Sequence, residues 1–284
     1  MITFSEVKGF ATVQDVGRVG VAHLAIPTSG AFDKQSHELA NRIVGNTKSA
    51  ATIESLRSRI SFSASTDIVI AVTGAPVNIR INGAQLHMNA ALLVPAGASV
   101  EIATTHLAMR TYIAVRGGFG GETVIGSHSY DELSKLGTAP LAMGHQLAVG
   151  NDFEGEVASA HAVVKGVHLG SHYVAEVSIG PRWEMFPEAQ QLFAQTFTVS
   201  SQCNRIAVRL EGYSFVWDTA ARLPSEGVVY GAIQVPVDGQ PLIFGPDHPT
   251  TGGYPVIGVV TESDMSVIAQ LPPGATLQFK RSSN

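Results

Sequence analysis

Short apolar runs that end at glycine or proline are the feature that most restricts the possible folds of this chain. The chain has 284 residues, of which 29 are glycine and 14 are proline. The runs have the length of β-strands, and the residues between them supply turns at short intervals. The candidate strands are Thr66–Gly74, Val77–Asn89, Met109–Gly118, Tyr173–Gly180, Arg205–Gly212, Val256–Thr261 and Thr276–Lys280. The pattern therefore predicts a mainly β protein, built as a barrel or a sandwich.

Local signals mark one hairpin and two helices. Asn82-Gly83, between alternating apolar and polar residues, predicts a β-hairpin. A helix is predicted after Asp33, which can cap its first turn, and before Gly45, which can adopt the left-handed conformation past its end. A second helix is predicted at Pro187–Gln195, with the proline in its first turn. Because no helix separates successive strands regularly, a doubly wound parallel sheet is not expected.

The length of the chain predicts two domains. The segment Gly150–Gly166 is the least strand-like part of the middle of the chain, so a boundary is predicted near residue 160. The first predicted unit is an N-terminal β-barrel of residues 1–160, with the helix near residues 33–45. The second is a C-terminal β-barrel of residues 161–284. Exchange of segments between the two units stays open.

Charged residues are scarce in this chain. They make up 14% of it, against about 25% in an average soluble domain, and the mean hydropathy is +0.18. No stretch reaches the roughly 18 uninterrupted apolar residues of a membrane span, so no contact with a membrane is predicted. A large β-rich core and a surface covered by a permanent partner both explain this composition, and the two explanations stay open.

Net charge and cysteine content restrict partners and location. The formal net charge is −5 and the isoelectric point is about 6.0, with no basic patch, so nucleic acid is not an expected partner. Cys203 is the single cysteine, which excludes an internal disulfide. Residues 1–20 show no signal peptide, and a reducing cytoplasm is predicted.

Two motifs near the N-terminus are dense in polar residues and glycine. In "TVQDVGRVG", Gln14, Asp15 and Arg18 lie within five residues, and Arg18 can bind a carboxylate or carbonyl group or pair with Asp15. In "PTSGAFD", the backbone N–H groups of Ser29, Gly30 and Ala31 can cradle an anionic or carbonyl group. An ordinary turn into the helix is the alternative for this second motif.

A third polar motif, "SSQCNR", stands just before a candidate strand. Gln202 and Asn204 each offer a donor and an acceptor, which suits a planar amide-like ligand, and Arg205 follows them. Cys203 lies among them, but no neighbouring His, Lys or Arg pattern argues for a lowered thiol pKa. A nucleophilic role for the thiol is therefore not expected.

Other chemical motifs are missing from the sequence. His168 and His172 are four residues apart, but they stand where a turn leads into a strand, so that a shared metal site is not expected. The sequence has no CxxC, HExxH or Gly-x-Ser-x-Gly motif, and "RGGFGGET" lacks the Gly-Lys-Ser/Thr ending of a phosphate-binding loop.

Several motifs, in order along the chain, resemble those of one protein family. They are "TVQDVGRVG", "PTSGAFD", "ANRIVGN" with "ATIES" behind it, "GSHSYDEL", "SSQCNRIAVRLEG" and "DHPTTGGYPVIG". They resemble the KipA-like family, also called allophanate hydrolase subunit 2, the C subunit of 5-oxoprolinase, or the second half of the biotin-dependent carboxyltransferase domain. The resemblance extends from about Val13 to Gln270.

The resemblance implies a fold and partners. Members look as if they are built from two cyclophilin-like β-barrel units, and this chain is expected to have the same two units with a few short helices. They act with a KipI-like subunit 1, and a LamB/YcsF-like subunit or a biotin carboxylase is a further candidate partner. ATP or carboxybiotin would reach the site through those partners, since this chain has no biotinyl-lysine domain and no ATP-binding motif. The implied substrate is a small amide or ureide: 5-oxoproline, urea or allophanate.

The family also contains a regulatory relative, which counteracts a KipI-like inhibitor of a histidine kinase. A regulatory binding protein is therefore the alternative to an enzyme subunit. One segment departs from the family pattern. Many members carry a longer Gly-rich loop ending in Gly-Arg, where this chain has the shorter Thr138–Gln146 without that arginine.

The implied chemistry needs fixed hydrogen-bond donors, because an amide nitrogen is a weak nucleophile that must be held near its partner. Arg18, Asp15 and Asp247 are the predicted catalytic residues, the arginine as a donor. The candidate proton acceptors are Asp15, Asp33 and Asp247, and none of them is assigned as the general base. The predicted substrate-binding residues are Gln14, Ser29, Gly30, Asp33, Gln202, Asn204, Arg205, Thr250, Thr251, Gly252, Gly253 and Tyr254. No metal ligand is predicted.

The stretch "DHPTTGGYP" is longer than a simple turn requires. Gly252 and Gly253 let the backbone approach a flat ligand, and Tyr254 can stack on it. A rigid turn with a packed tyrosine is the alternative. We expect "QDVGR", "QCNR" and "DHPTTGGYP" to lie beside one another and to face the partner subunit.

Overall fold

The computed structural model describes residues 1–105, 108–158, 172–220 and 223–283. Over these ranges the chain is mainly β, as the sequence predicts, with three α-helices. The strands are β1 Ile2–Gln14, β2 Thr52–Ala64, β3 Ile68–Gly74, β4 Val77–Ile81, β5 Ala84–Leu86, β6 Leu92–Val94, β7 Val100–Thr104, β8 Arg110–Val115, β9 Phe119–Gly120, β10 Gln146–Val149, β11 His172–Ile179, β12 Thr196–Val199, β13 Ala207–Glu211, β14 Glu226–Gly227, β15 Ala232–Gln234, β16 Leu242–Phe244, β17 Thr251–Gly252, β18 Val256–Val260 and β19 Thr276–Arg281. The helices are α1 Lys34–Ile43, α2 Gln191–Ala194 and α3 Glu262–Ile268.

The chain divides into two compact units. The first comprises Met1–Arg18, Ser29–Asp131 and Lys135–Leu169, and the second comprises Val19–Thr28, Glu132–Ser134 and Gly170–Asn284. The predicted boundary near residue 160 falls in 159–171, which lie outside the described residues, so its position stays a prediction.

The first unit contains a ten-stranded sheet that branches at the long strand β2. Its main path is β5-β4-β7-β2-β1-β10-β9, and β8, β3 and β6 form a second arm. Ile53–Leu56 pair with β8, while Arg59–Phe62 pair with β7. Arg57 lies between the two halves with a positive φ of 44°. A residue in this conformation interrupts the regular ladder and lets the two halves of one strand serve different neighbours.

Apolar side chains of both arms form the core of this unit. Phe4 and Phe62 are among its members, with ring centroids 5.8 Å apart. Burial of a side chain of this size contributes about 1.5–3 kcal/mol. The predicted hairpin is confirmed: Asn82 and Gly83 join β4 to β5 with φ of 50° and 82°, the two positive values that a tight hairpin turn requires.

Helix α1 is confirmed with both of its predicted ends. The Asp33 carboxylate accepts the Ser36 N–H at 3.0 Å, and Gly45 has a φ of 73° past the last turn. Ala40 and Ile43 are buried among residues of β3 and β8. The Ser29–Asp33 segment is therefore anchored at one end by a packed helix.

The second unit contains a closed barrel in the order β11-β18-β15-β16-β13-β12-β19. β19 closes the barrel, because it pairs in parallel with β11 and antiparallel with β12. Aromatic rings fill part of the interior, with Phe197 stacked on Phe215 at 6.2 Å between centroids. The predicted strands that begin near Tyr173, Arg205, Val256 and Thr276 are all in this barrel.

The second predicted helix is shorter than expected. Only Gln191–Ala194 are α-helical. Up to the start of this helix, N–H groups bond to carbonyl oxygens three residues back, as Ala189 does to Phe186 and Gln191 to Glu188, and they form tight turns instead of an α-helix. Helix α3 was not predicted from the sequence. No helix of the described ranges is both long and apolar enough to cross a membrane.

Candidate functional site

The carboxylate of Asp15 organises the first polar motif. Its Oδ1 accepts the Gly17 N–H at 2.7 Å and the hydroxyls of Ser127 and Ser129 at 2.6 Å each. Its Oδ2 accepts the His128 N–H at 2.7 Å. Asp15 thus joins the end of β1 to the "GSHSYDEL" segment, 112 residues later in the chain.

The pKa of Asp15 is lower than its ordinary value. Burial raises the pKa, but the hydrogen bonds from the two serine hydroxyls and from two backbone N–H groups outweigh burial. The side chain is therefore charged at neutral pH and already accepts four hydrogen bonds. Such a carboxylate is well suited to position a loop, and its predicted role as a proton acceptor stays a prediction.

Arg18 is a buried arginine that also holds this segment. It is 2% exposed, and its guanidinium donates to the carbonyl oxygens of Val124 at 2.9 Å and Ser129 at 2.6 Å. Gly137 packs so closely on Ser129 O that a Cβ would overlap it, and its φ is 89°. The segment from Val124 to Ser129 is thus held by Asp15 and Arg18 within the first unit.

The structure places Gly30 and Ala31 of the second motif directly against Asp15 of "QDVGR". The Ala31 N–H donates to Asp15 O at 2.9 Å. Gly30 has a φ of 87°, and a Cβ there would lie 2.9 Å from Asp15 O. Ser29 adopts a left-handed φ of 57°, which few non-glycine residues do. The predicted residues Gln14, Asp15, Arg18, Ser29 and Gly30 therefore share one region of the first unit.

A second buried network fixes the other end of this turn. The carboxylate of Glu54 accepts the Phe32 N–H at 2.9 Å and the Tyr112 hydroxyl at 2.7 Å. The Tyr112 oxygen in turn accepts the Asp33 N–H at 2.7 Å. Arg110 Nε lies 3.4 Å from Glu54 Oε1, and Arg110 Cζ lies 4.4 Å from the centre of the Phe32 ring. Burial, with the nearby Glu54 charge, raises the pKa of Tyr112 well above its usual range, which keeps the hydroxyl a donor.

Sequence reasoning missed the supporting residues of both networks. Ser127 and Ser129 lie in the "GSHSYDEL" motif, but the motif alone does not say which of its members turns inward. Glu54 lies in a strand with several other polar and charged residues, whereas Arg110 had a detectable signal, because it begins a strand of mostly apolar residues. A charge in such a position is rarely left unpaired.

Two buried polar atoms of this region have no hydrogen-bond partner within the described part of the chain. They are Oε1 of Gln14 and Oγ of Ser29. Gln14 is fully buried and Ser29 is 4% exposed. Both were predicted as substrate-binding residues.

Arg205 and Asp247 form a buried ion pair in the second unit. Arg205 Nε lies 2.8 Å from Asp247 Oδ2, and its Nη2 lies 2.9 Å from Oδ1. The Arg205 N–H also donates to Glu132 Oε2 at 3.1 Å, and the Glu132 N–H donates to Asp247 Oδ2 at 2.9 Å. This network joins "QCNR" to "DHPTTGGYP", as expected. The catalytic role of Asp247 and the binding role of Arg205 stay predictions.

Asn204 and Gln202 present amides at the surface beside this pair. Asn204 Oδ1 accepts the N–H groups of Ile206 and Ala207 at 3.0 Å each, and this side chain shapes the turn into β13. Exposed Gln202 lines a cavity of about 170 Å³ together with Ser200, Arg209, Glu211, Asp238 and Gln240. The Cys203 thiol donates to Ser200 O at 3.0 Å.

The stretch after His248 forms a small ribbon of its own. β17 pairs with β14, so that Gly252 lies opposite Glu226 and Thr251 lies opposite Gly227. A Cβ on Gly252 would lie 2.6 Å from Gln234 Nε2, so the backbone packs closely on that side chain, and the predicted contact of Gly252 with a ligand stays a prediction. Thr251, Gly253 and Tyr254 are exposed. Their predicted contact with substrate stays a prediction, as does a single site that unites all three motifs.

His37, one turn into α1, makes the first unit sensitive to acid. It is 2% exposed, and its Nδ1 lies 2.9 Å from Thr52 Oγ1. Burial lowers its pKa below the ordinary value of 6.5, although neighbouring acids act in the opposite direction. At a pH between the lowered pKa of folded His37 and its ordinary pKa in the unfolded chain, the unfolded chain binds more protons than the folded chain. Stability therefore falls as the pH decreases below about 6.5, by up to about 1.4 kcal/mol per pH unit.

The expected result is a lower melting temperature of the first unit at pH 5.5 than at pH 8, measured by scanning calorimetry. In His37→Gln this pH dependence is expected to shrink, while the same change at exposed His87 leaves it as it is. Equal pH dependence in the wild type and His37→Gln would show that another group causes it.

No group of three or more His, Cys, Asp and Glu side chains within the described ranges is arranged to hold a metal ion. His168 lies outside the described residues, so the pair that it forms with His172 in the sequence is not covered by this finding.

Comparison with known proteins adds a family context to these sites. A family model described as "Carboxyltransferase domain, subdomain A and B" matches residues 24–281. The C subunit of the 5-oxoprolinase of Escherichia coli (strain K12) is 32% identical over 275 residues, which cover 95% of this chain and 87% of that protein. The urea amidolyase of Saccharomyces cerevisiae is 28% identical over 291 residues, covering 94% of this chain and 16% of that protein.

The fold matches a solved structure equally well. The crystal structure of the K. lactis urea amidolyase superposes with a TM-score of 0.88 and 26% identity, over 99% of this chain and 19% of that chain. The chain thus spans less than one fifth of the urea amidolyases that it matches. The match to the family model and the match to the urea amidolyase structure each extend over residues of both units.

Proposed function

This chain belongs to the carboxyltransferase domain family, subdomain A and B, and we propose that it is one subunit of a heteromeric enzyme acting on a C–N bond of a small amide. The first candidate substrate is 5-oxoproline, a cyclic amide. The observation that carries this choice is the 32% identity to the C subunit of a 5-oxoprolinase over 87% of that protein's length.

A second candidate is carboxyl transfer to the nitrogen of urea. It is favoured by the TM-score of 0.88 against a urea amidolyase. Either reaction requires a weakly nucleophilic or weakly electrophilic amide to be held in place by donors that do not move. The buried networks of Asp15 and Glu54 supply such rigidity within the first unit.

The proposed partners follow the family pattern. A KipI-like subunit 1 completes the enzyme, with a LamB/YcsF-like subunit for 5-oxoproline or a biotin carboxylase for urea. These partners would supply ATP or carboxybiotin in the cytoplasm, and the low charge content of 14% fits a surface that they cover. The alternative remains a regulatory protein that binds a KipI-like partner and turns over nothing.

Co-expression with the cognate subunits tests the proposal. The complex is purified and supplied with 5-oxoproline and ATP, and glutamate formation is measured. We expect turnover by the complex and none by the separate subunits. Turnover of urea with carboxybiotin instead would select the second candidate. Formation of a stable complex without either activity would contradict the enzyme proposal and support the regulatory alternative.

Asn204→Asp tests the amide edge of the second unit. The substitution keeps the Oδ1 atom that holds the turn and replaces the exposed Nδ2 donor by an acceptor. If Nδ2 donates to substrate, kcat/KM falls about 5- to 13-fold, which corresponds to the loss of one hydrogen bond of about 1–1.5 kcal/mol. Binding of the partner is expected to stay unchanged.

Asn82→Asp is the matched control. Its Oδ1 accepts the Ser99 N–H at 2.9 Å on a hairpin turn of the first unit, so the same chemical change occurs far from any predicted site residue in the sequence. Its activity is expected to equal that of the wild type. Equal activity of both variants would remove Asn204 from the substrate-binding set.

A further inference from the structure

We propose that the side-chain oxygen of Gln14 accepts a hydrogen bond from an N–H of the substrate and thereby selects amides that carry a free N–H. This inference depends on the proposed function in one respect, namely that the substrate is an amide. Beyond that function, Gln14 Oε1 is the atom that recognises the substrate N–H.

The hydrogen bonds of Gln14 fix which end of its amide faces the ligand. Its Nε2 donates to the carbonyl oxygen of Tyr130 at 2.9 Å and to Thr12 Oγ1 at 3.0 Å. A carbonyl oxygen only accepts, so rotating the amide by 180° would place two oxygens against each other. The oxygen Oε1 is therefore the end of the amide that is left for a ligand, and an amide oxygen can only accept a hydrogen bond.

This oxygen is buried and makes no hydrogen bond within the described residues. Leaving such an atom without a partner costs about 1–3 kcal/mol. The side chain as a whole is fully buried, so flexibility at the surface does not relieve the cost. A donor brought in by a ligand would recover this energy, and it would do so only for a ligand that has one.

Ser29 adds a second atom with the same property, two residues before the Ala31 N–H that bonds to Asp15, the residue next to Gln14. Its hydroxyl is buried without a partner among the described residues, on a residue held at a left-handed φ of 57°. The turn is held on both sides, by the Ala31 N–H on Asp15 O at 2.9 Å and by the Phe32 N–H on Glu54 at 2.9 Å. Backbone strain of this kind, about 1–3 kcal/mol, persists where surrounding contacts impose it and is common at ligand sites.

The chemistry of the two atoms defines a ligand class. Gln14 Oε1 requires a donor, and the Ser29 hydroxyl can either donate or accept. The N–H and C=O of an unsubstituted amide, lactam or ureide satisfy both. An ester or lactone of the same shape offers only acceptors, and it would leave Gln14 Oε1 as unsatisfied as before.

The test compares 5-oxoproline with its lactone analogue, in which the ring N–H is replaced by oxygen. Binding of each to the assembled complex is measured by calorimetry, for the wild type and for Gln14→Met. We expect the wild type to bind the lactone about 10-fold or more weakly, as the loss of a hydrogen bond to a buried acceptor predicts. In Gln14→Met this ratio is expected to approach 1, because the selective acceptor is gone.

Gln85→Met is the control, since exposed Gln85 lies on β5 and has no proposed role, and it should keep the wild-type ratio. If Gln14→Met does not fold, Gln14→Glu takes its place. Its carboxylate loses the Nε2 donor but still accepts from the substrate N–H, so the ratio is expected to stay at or above the wild-type value, and a ratio near 1 would contradict the inference. Equal affinity of the wild type for lactam and lactone would overturn the inference while leaving the proposed function intact. Failure of the wild-type complex to bind either 5-oxoproline or urea would overturn both.

Discussion

Arg205→Leu is expected to lower the free energy of unfolding of the barrel unit by about 3–5 kcal/mol. Arg205 and Asp247 are 3% and 0% exposed in their side chains, and two nitrogens of one face two oxygens of the other. Without the guanidinium, the carboxylate of Asp247 would be a buried charge that has lost its counter-ion. The cost comes from that remaining charge more than from the lost attraction.

Both tryptophans, Trp183 and Trp217, belong to the second unit, so tryptophan fluorescence during urea unfolding reports on this unit. Arg182→Leu is the matched control. Arg182 pairs with Glu226 in the same unit, but the two side chains are 33% and 31% exposed, and such a pair contributes about 0–1 kcal/mol.

A double variant separates the two causes of the loss. Removing Asp247 as well, in Arg205→Leu with Asp247→Leu, should restore a large part of the stability, because no buried charge remains. A loss below about 1 kcal/mol in Arg205→Leu, equal to the loss in the control, would show that the pair is not a stabilising element.

Asp15→Asn is expected to destabilise the first unit by about 2–4 kcal/mol at pH 7. The variant keeps the volume of the side chain, but it replaces one accepting oxygen by an NH₂ group and removes the charge. At least one of the four donors at this carboxylate then loses its partner, and hydrogen bonds to a charged group contribute about 1.5–3 kcal/mol each. Exchange of the backbone amide hydrogens of residues 124–131 should accelerate in Asp15→Asn, in proportion to the loss of stability.

The pH dependence gives a second measurement of the same group. The folded pKa of Asp15 is lowered, so its contribution is present above the unfolded pKa, about 3.9, and is lost as the pH falls through the folded value. The difference between the wild type and Asp15→Asn should therefore be largest near pH 7 and shrink in acid. Asp67→Asn is the control, because exposed Asp67 accepts a single backbone bond, from Ala96 N–H at 2.8 Å. A loss at Asp15 no larger than at Asp67 would contradict the organising role.

Local features of this fold could be predicted from the sequence, because their causes are local. The Asn82-Gly83 turn depends on the conformations of two residues, and the start of α1 depends on a carboxylate three residues from the N–H that it accepts. The mainly β class follows from the spacing of turns. Each of these signals is contained within about ten residues.

The functions of the polar motifs were only partly predictable, because their partners are distant in the sequence. Asp15 was selected as a proton acceptor, yet its environment depends on Ser127 and Ser129, more than 100 residues away. Gly252 was selected for a ligand contact, and the sequence alone did not show that the side chain of Gln234 packs closely on it. Sequence reasoning identified residue types capable of binding, and the fold decides which of their atoms are already bound.

The position of β19 affects how the barrel unit is made on the ribosome. This strand fills the gap between β11 and β12, and it is the last of the seven barrel strands to be synthesised. At about 5–20 residues per second, the roughly 80 residues between β12 and β19 take several seconds to emerge. During that time the facing edges of β11 and β12 carry unpaired backbone groups, which are open to pairing with other chains. The nascent barrel therefore passes through a period in which chaperones, or an early-binding partner subunit, would protect it from aggregation.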